Sequence, residues 1–167
     1  MHRTVPAYLL ALGILVVDQL TKWIMIGPLA LEQVRQIELS PIFNFTWVQN
    51  FGISLGLAQA QNDTQRWLLV ALTGAIAIAV AYWIRREDKS GDRLALGLVL
   101  GGALGNIIDR ARVGYVVDFL DLHFGEFRPF YVFNVADAAI SIGVVILLLR
   151  AVFVREKSAP EGINEHA

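Results

Sequence analysis

The stretch ADAAISIGVVILLLRAVFV, residues 136–154, carries only two charged residues, Asp137 near its start and Arg150 near its end. A helix that crosses the hydrocarbon core of a bilayer, about 30 Å thick, needs about 20 predominantly apolar residues. The stretch therefore predicts a membrane-spanning helix with a carboxylic acid in its first turn.

Three further stretches have similar length and character, at residues 7–26, 67–84 and 94–110. The first retains charged residues and is followed by no small-residue cleavage site, so we interpret it as an anchor and not as a signal peptide. The sequence predicts a membrane all-α fold of four transmembrane helices. We expect residues 1–157 to form a single integral membrane domain and residues 158–167 a disordered tail.

The composition agrees with a membrane protein, since 56% of the 167 residues are hydrophobic, 17% are charged, and the mean hydropathy is +0.54. A formal net charge of −1 gives no basic surplus for binding nucleic acid. The absence of cysteine excludes disulfides and thiolate sites, and two of the three histidines lie near the termini. We therefore expect no metal and no cofactor, and chemistry that depends on carboxylates, amides, hydroxyls, Arg or Lys.

Lys and Arg in the short connections predict the orientation in the membrane. One side collects Arg3, Arg85, Arg86, Lys89, Arg93, Arg155 and Lys157, and the other collects Arg35, Arg66, Arg110, Arg112 and Arg128 in longer segments. The first side is predicted to be cytoplasmic, which places both termini there. The loop REDKSGDR, residues 86–93, is interpreted as a charged turn.

Two segments, residues 27–66 and 109–135, lie on the side opposite to the cytoplasm and are called the outer segments. They are the candidates for the functional surface. In the first, Phe43, Phe45 and Trp47 alternate with polar residues, a period of two that predicts a strand with one apolar face. We expect a small β-hairpin or sheet in this segment. In the third apolar stretch, glycines recur every four residues and favour close approach of another helix: Gly97, Gly101 and Gly105.

Polar residues converge on the outer side of the predicted bundle. Asp18 and Lys22 share one face of the first helix, and Asp137 falls in the first turn of the fourth, where the helix dipole favours a carboxylate and Asn134 can cap the helix. With a second carboxylate nearby, one acid would keep its proton while the other serves as base for a water molecule. Such a pair can hydrolyse an amide without a metal.

Three acids in the second outer segment are candidates for the partner of Asp137. Asp109 is next to Arg110 and suits a structural ion pair, and Asp121 lies in a stretch polar enough to be solvated. Asp118 lies between Val117 and Phe119, an apolar setting that raises a carboxyl pKa. The setting favours Asp118 but leaves the choice open.

Five separated motifs resemble the signature of the lipoprotein signal peptidases, also called signal peptidase II: DQLTK at 18–22, NFG at 50–52, GGALGNIIDR at 101–110, GYVVDF at 114–119 and FNVAD at 133–137. The resemblance covers nearly the whole chain from the first predicted span to the fourth. It implies a multi-pass aspartic endopeptidase of the bacterial inner membrane, active near the periplasmic face. It would remove signal peptides from diacylglyceryl-modified prolipoproteins, cutting before the lipidated cysteine.

Carried over motif by motif, the resemblance implies that Asp118 and Asp137 are catalytic. It gives supporting or substrate-binding roles to Asn50, Gly52, Asn106, Arg110, Asn134, Asp18 and Lys22. The expected partners are prolipoprotein substrates and membrane lipids, and we expect a monomer with no metal or organic cofactor.

Three other interpretations compete with this one. A serine–lysine peptidase would pair Lys22 with Ser54 or Ser141. A proton or ion carrier would need ionisable groups through the whole bilayer thickness, but the cytoplasmic half is nearly bare apart from Arg150. A scaffold bundle would use the glycine face for partners and would need no clustered carboxylates.

Overall fold

The computed structural model describes residues 3–53, 58–59 and 63–153. Its elements in chain order are α1 (Val5–Ile26), α2 (Leu31–Val34), β1 (Gln36–Ser40), β2 (Phe43–Asn50), β3 (Gly52–Ile53), β4 (Ala58–Gln59), α3 (Asp63–Arg86), α4 (Ser90–Arg112), β5 (Val116–Leu122) and α5 (Val135–Phe153). Within the described ranges, four helices are long and apolar enough to cross a membrane: α1, α3, α4 and α5. The predicted fold class is confirmed. The expected tail, residues 158–167, and Ser54 lie outside the described residues.

Helix α4 is the centre of the bundle. It packs against α1, α3 and α5, and half of its apolar window is buried, compared with 22% or less in the other three helices. Glycine makes this packing possible: a Cβ on Gly97 would lie 2.6 Å from the Ala7 carbonyl oxygen, and one on Gly101 would lie 2.5 Å from that of Ala11. The predicted glycine face is therefore where α1 and α4 approach closely.

The order of these contacts gives the directions of the helices. Gly97 faces Ala7 and Gly105 faces Asp18, so α1 and α4 are parallel, whereas Gly143 of α5 faces Ala95, so α5 is antiparallel to both. The Tyr8 hydroxyl of α1 donates to the Ala81 carbonyl near the end of α3. The starts of α1 and α4 therefore share one end of the bundle with the last turns of α3 and α5. We call it the basic end, because it holds Arg3, Arg85, Arg86, Lys89 and Arg93. The opposite end is the sheet end.

A three-stranded antiparallel sheet in the order β1–β2–β5 lies at the sheet end. Strand β2 is central and pairs Val48 with Asp118 and Asn50 with Val116 of β5. Below the sheet, a buried cluster joins the end of α1 to the strands through Met25, Leu31, Trp47, Val117 and Phe119. Strand β5, which follows α4, is therefore fixed against the bundle. The last residue of β2, Asn50, lies beside the start of β5.

The predicted strand around Phe43 is present, and its aromatic side chains share one face. Phe45 packs with Trp47 in the buried cluster, and the rings of Phe43 and Phe45 lie 5.9 Å apart. The other face is less open than its polar residues indicated, because Asn44 is buried as well. The register of β2 against β5 shifts between Phe45 and Val48, which marks a bulge. On the other side of β2, the Trp47 amide donates to the Arg35 carbonyl at 2.8 Å, which extends the register of β1 and β2 by one residue pair.

The charged loop at the basic end is more than a turn. Helix α3 continues to Arg86 and α4 begins at Ser90, so only three of its residues connect the helices. Asp92, in the first turn of α4, forms an ion pair with Arg150 of α5. The loop's second half therefore binds α5 to α4, which its composition alone did not indicate.

We predict that Gly97→Ala destabilises the protein and that Gly74→Ala does not. The new methyl at position 97 would meet backbone of α1, and overpacking of this kind costs about 1–3 kcal/mol. Gly74 has open space, so alanine there should be neutral or stabilising through helix propensity. Thermal unfolding of both variants in detergent measures the difference. Equal melting temperatures would contradict the close approach of α1 and α4.

Candidate active site

Asp118 and Asp137 lie close together at the sheet end although they belong to different elements. Asp118 is on β5, 2% exposed and flanked by buried Val117 and Phe119, and Asp137 is in the first turn of α5. Asn134 bridges them, because its Nδ2 donates to Asp118 Oδ1 at 2.7 Å while its Oδ1 accepts the Asp137 amide at 2.9 Å. The structure thus brings together the two acids that the sequence favoured.

Asp137 caps its own helix and remains available to the site. Its Oδ2 accepts the backbone N–H of Asn134 at 3.2 Å, and the Asn134 side chain accepts the Asp137 amide in return. This reciprocal capping box satisfies N–H groups at the start of α5 and fixes the carboxylate. Asn106 Nδ2 donates to the other oxygen, Oδ1, at 2.8 Å. The predicted cap is therefore present, and it orients Asp137 as well.

The electrostatics of Asp118 differ from those of an ordinary surface acid. Burial and, second to it, the negative charge of Asp137 raise the pKa of Asp118 to about 7. Hydrogen bonds from Asn134 and from Asn50, whose Nδ2 donates at 3.0 Å, act in the opposite direction. A carboxyl group with a pKa near neutrality can hold a proton and release it in the physiological range. The pair can therefore contain one acid and one base.

Asn50 and Gly52 are placed beside Asp118 by the end of β2. The Gly52 amide donates to Asn50 Oδ1 at 3.1 Å, which leaves the Asn50 NH₂ group directed at Asp118. The amide group is held by this local turn and so presents its donor side to the carboxylate. Both residues of the NFG motif that the sequence selected are present at the site.

A second polar layer, centred on Lys22, lies below the two acids. The Lys22 ammonium lies 2.8 Å from Asp18 Oδ2 and 2.7 Å from Asp109 Oδ2, and it also donates to Asn106 Oδ1 at 3.3 Å. Three acceptors match the three N–H bonds of a lysine. The interpretation of Asp109 as a partner of Arg110 was wrong, because the parallel packing of α1 and α4 brings Asp109 to Lys22.

This layer also holds the elements that carry the two acids. Asp18 Oδ1 accepts the Ala136 amide at 3.0 Å, next to Asp137, and Asp109 Oδ2 accepts the Val117 amide at 3.2 Å, next to Asp118. The ion cluster therefore fixes the start of α5 and the strand β5 at once. All three N–H donors of Lys22 are engaged, so its ammonium group is not free to activate Ser141.

Arg110 projects toward the acids from the last turn of α4. It lies near enough to Asp137 and Asp118 to interact with both charges, and its buried Nε has no hydrogen-bond partner among the described residues. A buried donor without a partner is costly, so it is a natural contact for a group that binds at the site. The structure therefore places Arg110 next to Asp118 and Asp137.

Asp121 does not belong to the pair, and the expectation that it is solvated was wrong. It is 1% exposed and accepts hydrogen bonds from Thr46 Oγ1 at 2.9 Å and Arg128 Nε at 3.1 Å. Although burial alone would raise its pKa, these hydrogen bonds and the charge of Arg128 hold the pKa below its ordinary value. Asp121 is thus an ionised structural acid in the sheet.

A cleft of about 250 Å³ opens on the other side of Asp137. Its walls are largely apolar and comprise Phe130, Phe133, Ala138, Ser141 and Ile142. Because Asp137 itself lines the cleft, the pair can be reached from the outer surface of α5. An apolar wall beside a polar pair suits a substrate that carries both amide and hydrocarbon groups.

Arg66, which the sequence did not single out, caps the end of α4 next to Arg110. From the first turn of α3 it donates to the Arg110 carbonyl at 2.7 Å and to the Ala111 carbonyl at 2.6 Å. As carbonyls of the last turn of α4, they accept no hydrogen bond from an amide within the helix. The only signal in the sequence was an arginine at the start of an apolar stretch, which also suits interfacial anchoring.

We predict that Arg66→Met destabilises the protein by about 2 kcal/mol, because two charge-assisted hydrogen bonds are lost. Arg112→Met is the matched control, since Arg112 is exposed at the same helix end. Thermal unfolding of the two variants in detergent compares them. A melting temperature for Arg66→Met as high as that of the control would show that this cap contributes nothing.

Comparison with known proteins gives one consistent result. A family model described as signal peptidase (SPase) II matches residues 10–153. A lipoprotein signal peptidase of Sphingopyxis alaskensis is 60% identical over 141 residues, which cover 84% of this chain and 82% of the relative. Another, of Rhizorhabdus wittichii, is 56% identical over 147 residues, covering 88% and 86%.

Solved structures show the same architecture. A bacterial membrane enzyme determined by the in meso method at 2.3 Å resolution matches with a TM-score of 0.80 and 28% identity, covering 95% of this chain and 94% of that one. A second, at 1.9 Å resolution, matches with a TM-score of 0.75 and 30% identity, covering 89% and 93%. Since the family model spans all four membrane helices and the relatives align over most of both chains, the chain belongs to the signal peptidase II family.

Proposed function

We propose that the protein is an aspartic endopeptidase that removes the signal peptide from diacylglyceryl-modified prolipoproteins and cuts on the N-terminal side of the lipidated cysteine. The observation that carries this proposal is the pair Asp118 and Asp137, bridged by Asn134 at the sheet end of a membrane bundle. Membership of the signal peptidase II family supports the substrate class.

In the proposed mechanism Asp118 begins protonated and Asp137 ionised. Asp137 takes a proton from water as the water oxygen bonds to the scissile carbonyl carbon, and Asp118 gives its proton to the carbonyl oxygen. Asp137 then passes its proton to the leaving nitrogen as the C–N bond breaks, and the carbonyl re-forms while Asp118 recovers its proton. The raised pKa of Asp118 supports this assignment of the two roles.

The remaining site residues have supporting roles in this proposal. Asn50, Asn106 and Asn134 hold the carboxylates by amide hydrogen bonds, and Gly52 holds Asn50. Arg110 binds a substrate carbonyl or a lipid phosphate through its free donor. Asp18 and Lys22 fix α1 beneath the pair.

We propose that the basic end faces the cytoplasm, with both termini there, and that the site lies near the periplasmic face of the bacterial inner membrane. The excess of Lys and Arg in the short connection between α3 and α4 supports this orientation. All site residues come from one bundle and its sheet, which supports a single domain over residues 1–157 that acts as a monomer among membrane lipids.

The test is cleavage of a purified diacylglyceryl-modified prolipoprotein by the purified protein in detergent. We expect a new N-terminus at the modified cysteine, identified by mass spectrometry, and an unchanged rate when a chelator is added. The same prolipoprotein without the lipid is the matched control substrate. Cleavage at another peptide bond, or loss of activity with chelator, would refute the proposal.

We predict that cleavage declines as the pH rises above about 7, because the pair then loses its shared proton. The same titration affects stability. Since the folded pKa of Asp118 lies above its ordinary value of 3.8, its protonated form stabilises the fold at low pH, and this contribution is lost as the pH rises through about 7. Rate and melting temperature measured from pH 5 to 9 test both parts, and Asp118→Asn should lack the decline in stability.

A further inference from the structure

Four aromatic side chains are exposed in the loop that joins β5 to α5. Their exposed fractions are 53% for Phe124, 66% for Phe127, 60% for Phe130 and 78% for Tyr131. We call residues 124–131 the aromatic loop. A water-facing loop seldom presents four large rings in eight residues, so a partner that accepts aromatic groups is expected.

The aromatic loop has a defined conformation. Phe124 and Phe127 exchange backbone hydrogen bonds at 2.8 and 3.2 Å around Gly125, whose φ of +65° suits a tight turn. Arg128 is bound to the buried Asp121 carboxylate. The rings at positions 124 and 127 are therefore held outward on a short hairpin tied to the sheet.

Phe130, in the second half of the aromatic loop, lies alongside α5. Phe130 lines the same cleft as Ile142, which is two turns inside α5 and roughly 10 Å along its axis from Val135. Ile142 and Val145 are more than half exposed on the outside of this membrane-spanning helix, where lipid is the solvent. Phe130 therefore continues a lipid-facing surface, and Tyr131 follows it directly in the chain.

We propose that the aromatic loop is inserted into the interfacial layer of the outer leaflet, with bilayer lipid as its partner. Aromatic rings, and tyrosine above all, favour the headgroup level, where an apolar ring and a polar tip are both satisfied. Glu126 at the tip of the hairpin is exposed and charged, which limits the depth to the interface.

Insertion of the loop sets the height of the candidate site in the membrane. The loop leads directly to Phe133, whose carbonyl accepts the Phe119 and Leu120 amides of β5 at 3.0 and 2.8 Å. The next residue is Asn134, which binds both acids. Only Val132 and Phe133 separate the aromatic loop from Asn134. The depth of the loop in the membrane is therefore linked to the depth of the two acids.

The absence of cysteine allows a direct measurement of depth by spin labelling. The variants Phe127→Cys and Tyr131→Cys each carry one nitroxide in the full chain, in vesicles of phosphatidylethanolamine and phosphatidylglycerol. Accessibility to oxygen and to a water-soluble nickel complex gives the depth of each label. Asp88→Cys, exposed in the α3–α4 connection, is the aqueous reference, and Val145→Cys is the hydrocarbon reference.

We expect both loop labels to be several-fold less accessible to the nickel complex than the label at position 88. We also expect both to be more accessible to it than the label at position 145. Labels as accessible as the aqueous reference would overturn the proposal. Labels that become protected only when a prolipoprotein is added would also overturn it, because the loop would then be a substrate surface. The readout needs no catalysis, so it stands apart from the proposed peptidase activity, and the two positions guard against local misfolding of one variant.

Discussion

Asp118→Asn and Asp137→Asn are each expected to lower the rate of prolipoprotein cleavage by about 10³-fold, the scale of a lost general acid or base. Asparagine has nearly the same shape as aspartate but cannot exchange a proton, so either variant removes one of the two proton transfers. The rate is measured by the appearance of the cleaved product, with purified protein in detergent.

The control for this experiment is Asp88→Asn, the same chemical change at an exposed acid in the α3–α4 connection. Its rate should equal that of the unmodified protein. Thermal unfolding shows whether each variant is folded, and Asp118→Asn should be at least as stable above pH 7, where the buried charge is unfavourable. Full activity in either site variant would refute the assignment, and Asp109, Asp121 and Lys22 would become the residues to replace.

The sequence predicted those parts of the fold that depend on local patterns. Apolar length predicted four membrane helices, and the spacing of Asn134 and Asp137 predicted the cap of α5. The repeat of Gly97, Gly101 and Gly105 predicted a close helix contact. Each of these features lies within one helix, where position along the chain fixes position in space.

Features that depend on the packing of distant segments were not predicted. The partners of Asp109 and Asp121 became clear only when the register of α1 against α4 and of β2 against β5 was known. Arg66 reaches carbonyls more than 40 residues away, through a contact between the ends of α3 and α4. Charge and hydropathy along the sequence do not indicate which distant segments pack against each other.

The alternation of Phe43, Phe45 and Trp47 predicted both the strand and the side chains that share its apolar face. It did not predict that Asn44 on the other face is also buried. Asn44 lies in the central strand, between Glu38 of β1 and Asp121 of β5. Burial of this kind depends on the neighbouring strands, which the strand's own residues do not specify.

Lys22→Met is expected to destabilise the protein by about 3–5 kcal/mol, the cost of removing one partner from a buried ion pair. The Lys22 side chain is 4% exposed and lies between Asp18 and Asp109, which would be left buried and without a counter-charge. Their bonds to the Ala136 and Val117 amides would weaken, and the start of α5 and β5 would separate from the bundle. Thermal unfolding in detergent measures the loss.

A triple variant, Asp18→Asn with Lys22→Met and Asp109→Asn, tests whether the role of Lys22 is structural or catalytic. It removes the unpaired charges while the asparagine oxygens can still accept the two amides, so most of the lost stability should return. If Lys22 only supports the pair, cleavage should return to within about tenfold of the unmodified protein, because one lost hydrogen bond to Asn106 is worth about 1 kcal/mol. A stable triple variant without activity would instead make the Lys22 amine part of the reaction, as a serine–lysine mechanism requires.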